Sequence, residues 1–223
     1  MIKYYSEFPE IREKVNNKDI IYLNEDKTSY LILDKLPEDL FLFQDIWNLK
    51  PNERPDLTVY GKKYKTPRFV QTYGRTYNYS NIEQDALEIS EELQQFLDFG
   101  NEYMLEHEII YPKFNQILVN WYESGDHYIG PHSDDETQLY KNENGESFIF
   151  SITLTDELET SNYQNRIFRL KPKGKGRKRL DIETENGSII IMSGLTQKTH
   201  THQVPKTKKQ VMMRINITLR SFK

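Results

Sequence analysis

The 223 residues contain no cysteine. That excludes disulfides, thiolate metal ligands and a cysteine nucleophile, so any metal must rest on histidine, aspartate or glutamate. No apolar run approaches the roughly 20 residues that a membrane-spanning helix needs. The opening MIKYYSEFPEIREK lacks the apolar stretch of a secretory signal. A chain with neither cysteine nor such a leader is expected in the cytosol or nucleus. No internal repeat and no linker stand out, and the length suits one domain with a sizeable core. A strong charge bias is also missing: the net charge is −4, which does not announce a nucleic-acid binder. The distribution says more. KPKGKGRKR (171–179) carries six basic residues in nine, and Lys206, Lys208 and Lys209 form a second cluster. Such patches read either as a phosphate footprint or as a solvated hairpin loop.

Short strands dominate what is present. IIYL (20–23) and SYLILDKL (29–36) lead, and Pro37-Glu38-Asp39 predicts a helix opening that runs to Trp47. Residues 82–108 carry Leu87, Leu93, Phe96, Leu97 and Met104 near helical spacing and predict the longest helix. Strand patterns then follow at 116–122, 147–155, 165–172, 177–183, 187–194 and 211–222, with Asn186-Gly187 as a hairpin turn. Many strands at short spacing predict a sandwich or jelly roll rather than a parallel sheet. The expected domain is therefore α+β and mainly β, spanning 1–223, with an N-terminal part (1–114) packed on a β core (115–223).

The last strand alternates. Met213, Ile215, Ile217 and Leu219 share one face; Arg214, Asn216, Thr218 and Arg220 share the other. It reads either as an edge strand with a solvated face or as a strand whose polar face lines a barrel. Two arginines inside a cavity need anions, and a dicarboxylate ligand would supply them. They stand six residues apart, roughly 20 Å at ~3.3 Å per residue.

The five histidines are His107, His127, His132, His200 and His202. His132-Ser133-Asp134 is an H-x-D, whose two side chains point the same way from a strand or its end. With a third ligand from far along the chain, two histidines and one carboxylate on one face of a metal make an iron(II) oxygenase site with open positions. His202 offers that ligand, with His127 and His200 as competitors.

Three blocks together resemble the AlkB family of iron(II)/2-oxoglutarate dioxygenases, and within it the branch that repairs double-stranded DNA. They are NWYESGDHYIGPHSDDE (120–136), THQVPKTKK (201–209) and RINITLR (214–220). The resemblance implies a double-stranded β-helix core with helices on one side and an N-terminal nucleotide-recognition lid. It implies that His132, Asp134 and His202 ligate Fe(II), His202 being chosen because it stands three residues before Pro205. It also implies that Arg214 clamps the distal carboxylate of 2-oxoglutarate, aided by Tyr122 and Asn216. Arg220 and Asn120 would attend the end bound to metal, with Thr218 on the same face. Dioxygen is the other cosubstrate. VYGKKYKTPR (59–68) and YGRTYNYS (73–80) resemble that branch's substrate lid. There Tyr60 would be the finger that fills the gap left by a flipped base, with Gly61 making the turn and Lys62 beside it. Tyr77 and Tyr79 would line the base pocket and Arg68 would support the lid. Asp135 and Glu136 would favour a cationic base such as 1-methyladenine or 3-methylcytosine. The implied activity is oxidative demethylation with formaldehyde release, on DNA ahead of RNA, by a monomer that needs no membrane. The rivals are a same-fold oxygenase acting on RNA, protein or a small molecule, and a non-catalytic nucleic-acid-binding jelly roll.

Overall fold

The computed structural model describes residues 4–6, 11–15, 18–37, 43–59, 62–75, 77–79, 82–156, 163–174 and 178–223. In the first half the elements are β1 (Tyr4–Ser6), β2 (Ile11–Val15), β3 (Lys18–Tyr22), β4 (Ser29–Lys35), α1 (Phe43–Asn48), β5 (Asp56–Val59), β6 (Lys62–Lys65), β7 (Phe69–Tyr73), β8 (Tyr77–Tyr79), β9 (Ile82–Gln84) and α2 (Glu91–Glu106). The second half holds β10 (Gln116–Tyr122), β11 (Ile129–His132), β12 (Ile149–Thr155), β13 (Arg166–Pro172), β14 (Leu180–Thr184), β15 (Ser188–Gly194), α3 (Thr196–Thr199), β16 (His200–Val204) and β17 (Arg214–Arg220).

The strands form an eight-stranded sheet, β2-β3-β4-β15-β12-β17-β10-β7, and a five-stranded sheet, β1-β14-β13-β16-β11. Every named strand pairing is antiparallel, and neighbours are mostly non-consecutive in sequence, which is the crossover pattern of a jelly roll. Both sheets draw strands from either side of residue 115. Two smaller hairpins, β5-β6 and β8-β9, stand apart from them.

Burial follows the layers. β10, β12, β15 and β17 are buried at every position, because the large sheet is covered on both faces. β13, β14 and β16 bury alternate residues, as strands with one covered face do. One core lies between the sheets: Leu31, Leu33, Ile149, Ile190 and Met192 meet Phe168, Leu170, Leu180 and Ile182. The other lies under α2, whose Leu93, Phe96, Leu97, Tyr103 and Met104 share a cluster with Ile215, Ile217 and Leu219. The polar face of β17 therefore points into the barrel. Gly100 lets α2 approach β17 closely: a Cβ there would stand 2.4 Å from Leu219 Cδ1.

The predicted helix over 82–108 begins only at Glu91. Ile82–Gln84 instead pairs back on Tyr77–Tyr79. The Leu87 amide donates to Thr72 O and the Gly74 amide to Leu87 O, so this stretch is tied to β7. Ser90, extended at φ −72° and ψ 163°, precedes a first turn carrying Glu91 and Glu92. The helix expected to end at Trp47 is seen as Phe43–Asn48; its opening at Glu38-Asp39 lies outside the described residues. The strands β7, β11 and β16 were not separately legible, and the strand expected over 177–183 runs from Leu180 to Thr184. Among the described residues no helix is long and apolar enough to cross a membrane.

Candidate metal centre and cavity

β11 and β16 pair so that His132 stands directly opposite His202. Asp134 follows two residues after His132. One ligand atom from each of these three lies within 4.8 Å of the others, and among the described residues no other such group contains a histidine. His132 Nε2 is 3.7 Å from Asp134 Oδ1, and His202 Nε2 is 3.9 Å from Asp134 Oδ2. His200 and His127 stay outside the group: His200 Nδ1 is 2.8 Å from Thr199 Oγ1, and His127 Nδ1 accepts from the Glu123 amide.

The surroundings orient each ligand. His132 Nδ1 lies 2.9 Å from Gly130 O, which assigns the proton to Nδ1 and leaves Nε2 bare. Phe168 stacks on His202 at 5.5 Å. The Asp134 amide donates to Gln197 Oε1, and Arg220 Nη2 donates to Asp134 Oδ2 at 2.9 Å. Burial pushes the His202 pKa down to about 3 and lowers that of His132, so both rings are neutral, as metal ligands must be. Burial alone would raise Asp134, but Arg220 and the two histidines outweigh it and hold the carboxyl at about 2. Asp134 Oδ1 is buried with no hydrogen-bond partner. Two neutral imidazoles and a carboxylate with an unsatisfied oxygen fit iron(II).

A cavity opens beside this group, lined by His132, Asp134, His202, Asn120, Tyr122, Asn216, Thr218, Arg220 and Arg68. Arg68 Nε donates to Asn120 Oδ1. The Asn216 amide donates to Ser151 Oγ and Ile152 O. Arg214 stands behind that wall, 5.2 Å from the Tyr122 ring centroid. Its Nη2 donates to Thr153 Oγ1, while Nε and Nη1 are buried with no hydrogen-bond partner. A buried guanidinium that meets no carboxylate among the described residues fits an anionic ligand.

The other expected residues sit around the mouth. Asp135 is exposed, with Lys173 Nζ 3.5 Å from its carboxylate. Lys141 Nζ donates to the carbonyls of Asp135 and Glu136, holding this acidic turn. Lys62 is exposed on β6. Tyr60 and Gly61 lie outside the described residues, between the paired ends Val59 and Lys62. Tyr77 and Tyr79 are on β8, with side chains outside the described set. Gln197 and Gly130, which position the group, carried no motif that could have revealed them. Of the basic run, Lys175 to Arg177 lies outside the described residues, while Lys173 also donates to Gln197 O at 2.8 Å.

The alpha-ketoglutarate-dependent dioxygenase alkB homolog 3 of Homo sapiens is 28% identical over 186 residues, 81% of this chain and 59% of that protein. The DNA oxidative demethylase ALKBH2 of Mus musculus is 28% identical over 172 residues, 74% of this chain and 65% of that protein. The chain thus spans about six-tenths of the length of the curated relatives it matches. A solved structure, that of OsALKBH1, superposes with a TM-score of 0.51 at 16% identity, covering 86% of this chain and 96% of that one, which shows the shared fold. The description of the 2OG-Fe(II) oxygenase superfamily matches residues 42–220. That match takes in every member of the His132, Asp134 and His202 group and all of the polar wall beside it, and the chain belongs to the 2OG-Fe(II) oxygenase superfamily.

Proposed function

We propose that this chain is an Fe(II)- and 2-oxoglutarate-dependent dioxygenase that removes methyl groups from N-alkylated nucleic-acid bases, with 1-methyladenine and 3-methylcytosine in DNA as its substrates. The observation that carries the proposal is one cavity with the His132, Asp134 and His202 group at its wall and the unsatisfied Arg214 guanidinium behind it. The relatives' printed names, dioxygenase and DNA oxidative demethylase, support the reaction class.

In this reading His132, Asp134 and His202 hold iron(II), which when bound supplies the oxidising chemistry of dioxygen as 2-oxoglutarate loses carbon dioxide. Arg214, Tyr122 and Asn216 take the distal carboxylate. Asn120, Thr218 and Arg220 face the other end, and Arg220 keeps Asp134 ionised and correctly turned. Asp135 and Glu136 set negative charge at the mouth, which suits a base made cationic by methylation. Tyr60, Gly61, Lys62, Arg68, Tyr77 and Tyr79 form the base-recognition lid. Basic residues of 171–179 and 206–209 meet backbone phosphates. Residues 1–223 act as one dioxygenase unit, as a monomer inside the cell.

The test is formaldehyde release from methylated oligonucleotides, as DNA and RNA, each single-stranded and annealed, with and without 2-oxoglutarate. Formaldehyde should appear from methylated DNA and only with 2-oxoglutarate present. Turnover of 2-oxoglutarate with no demethylation of any oligonucleotide would refute the substrate class while leaving the oxygenase reading standing.

A further inference from the structure

Arg166 opens β13 and is 3% exposed, yet none of the roles above uses it. Its guanidinium is held by three main-chain carbonyls: Nη1 donates to Ser124 O at 2.9 Å, and Nη2 to His127 O at 2.8 Å and Pro205 O at 2.9 Å. Ser124 and His127 belong to the segment that leaves Tyr122 and leads to β11, which ends on His132. Pro205 follows the last residue of β16, which carries His202. One side chain therefore fastens the chain just beyond Tyr122 to the chain just beyond His202.

It also reaches the cosubstrate wall. The Arg166 guanidinium is 5.6 Å from the Tyr122 ring centroid, and the same ring has Arg214 at 5.2 Å. The two arginines come from opposite sheets, Arg166 from the five-stranded and Arg214 from the eight-stranded one. Two buried cations thus share one aromatic ring, and the carbonyls that hold Arg166 are dipoles that do not cancel its charge. Arg166 is among the charges that lower the Arg214 pKa, so each disfavours the other as long as no anion lies between or beside them. A singly charged head group would leave this end unsatisfied; a ligand with a second carboxylate would not.

We propose that Arg166 is a positioning residue of the cosubstrate site: acting through Tyr122 and Arg214, it sets the far end of the cavity for a 2-oxo acid that carries a second carboxylate. The inference rests on the cosubstrate reading above, but not on the nucleic-acid one. It concerns selectivity between 2-oxo acids, not the chemistry at the metal.

The experiment measures direct binding to Mn(II)-loaded protein by calorimetry, with no turnover. The ligands are N-oxalylglycine, a non-reacting dicarboxylate isostere of 2-oxoglutarate, and pyruvate, a 2-oxo acid without the second carboxylate. Arg166→Gln removes the charge but keeps an amide that can donate to the carbonyls; Arg166→Lys keeps the charge. Arg166→Gln should lower the preference for N-oxalylglycine over pyruvate on the order of tenfold, the scale of one charge interaction across several ångströms at an effective dielectric of about 20. Arg166→Lys should keep that preference within a few-fold of wild type. Equal weakening of both ligands by Arg166→Gln, or an unchanged preference, overturns the proposal. Should Arg166→Gln fail to fold, Arg166→Lys decides alone: a folded protein whose preference has dropped tenfold or more overturns it. Wild-type protein that binds neither ligand overturns the cosubstrate reading together with it, whereas failure on oligonucleotides alone leaves it untouched.

Discussion

Replacing Arg214 by methionine should move the stability of the free protein and its affinity for 2-oxoglutarate in opposite directions. The side chain is 1% exposed, and two of its three nitrogens are buried without a hydrogen-bond partner. Burial pulls its pKa from 12.5 to about 10. At ~1.4 kcal/mol per pH unit, keeping it charged costs the free protein about 3 kcal/mol. Methionine removes that cost and gives up the hydrogen bond to Thr153, worth ~1 kcal/mol. The net gain is about 1–2 kcal/mol, or roughly 3–6 °C in Tm for a chain of this size. The sign of the pH dependence follows. A cation whose folded pKa is depressed costs stability at every pH below that value, so the gain should be the same at pH 6 and pH 8. Against this, the lost charge-assisted contact to a carboxylate is worth about 1.5–3 kcal/mol, a fall in cosubstrate affinity of roughly 10- to 150-fold. Melting curves of wild type and Arg214→Met, each with Mn(II) and with or without N-oxalylglycine, show both effects together. The variant should melt higher alone and gain much less from the ligand. A variant that melts lower alone and keeps the full ligand shift would mean that Arg214 is an ordinary structural cation.

His202→Ala should abolish tight metal binding in a Mn(II) titration, while His200→Ala, whose ring rests on Thr199, should leave it nearly unchanged; the reverse pattern would refute the assignment. Asp34 joins β4 to α2 by accepting from Lys18 and Tyr103. Burial would raise its pKa, but those two partners outweigh it and lower it, so its contribution is present above the ordinary carboxylate range and lost as pH falls through the depressed value. Asp34→Asn should therefore destabilise the protein at pH 7, with the gap to wild type closing below about pH 4 in denaturant titrations; a gap constant from pH 7 to pH 3 would refute the linkage. Gly194 has φ +64° and a Cβ there would stand 2.2 Å from Thr28 O, so Gly194→Ala should cost at least about 2 kcal/mol by the same method.

What was legible in the sequence is what period two can carry. The alternation of β17 separated Ile215, Ile217 and Leu219 from Arg214, Asn216, Thr218 and Arg220, and the structure places the first set under α2 and the second inside the barrel. The H-x-D spacing likewise needs nothing beyond local geometry. The pairing of His132 with His202 does need more, because it depends on the register between β11 and β16, two short strands about 70 residues apart whose own patterns are too brief to read. Gln197 and Arg166 were hidden for a related reason. Each acts by bonding main-chain atoms of distant segments, and a main-chain acceptor leaves no mark on the residue that provides it. The stretch 82–90 misled because its acids and leucines mimic helical spacing, whereas its fate is set by hydrogen bonds to β7.

The same polar wall that makes the cavity useful weakens the barrel that holds it. On β12 and β17, Ser151, Thr153, Asn216, Thr218, Arg214 and Arg220 are all buried on the inner face. An ordinary sandwich would fill these positions with apolar side chains, each contributing about 1.5–3 kcal/mol by burial. Here they contribute hydrogen bonds of about 1 kcal/mol at best, and Arg214 counts against the fold. The loss is offset elsewhere on the same two strands. Phe150, Ile152, Leu154, Ile215, Ile217 and Leu219 point the other way and are almost fully buried among the side chains of α2. Stability is thus concentrated on the helix side of the large sheet, and ligand recognition on the barrel side. One consequence is directional: anion binding at the barrel face satisfies groups that the fold leaves wanting, so metal and cosubstrate together should stabilise this chain more than either does alone.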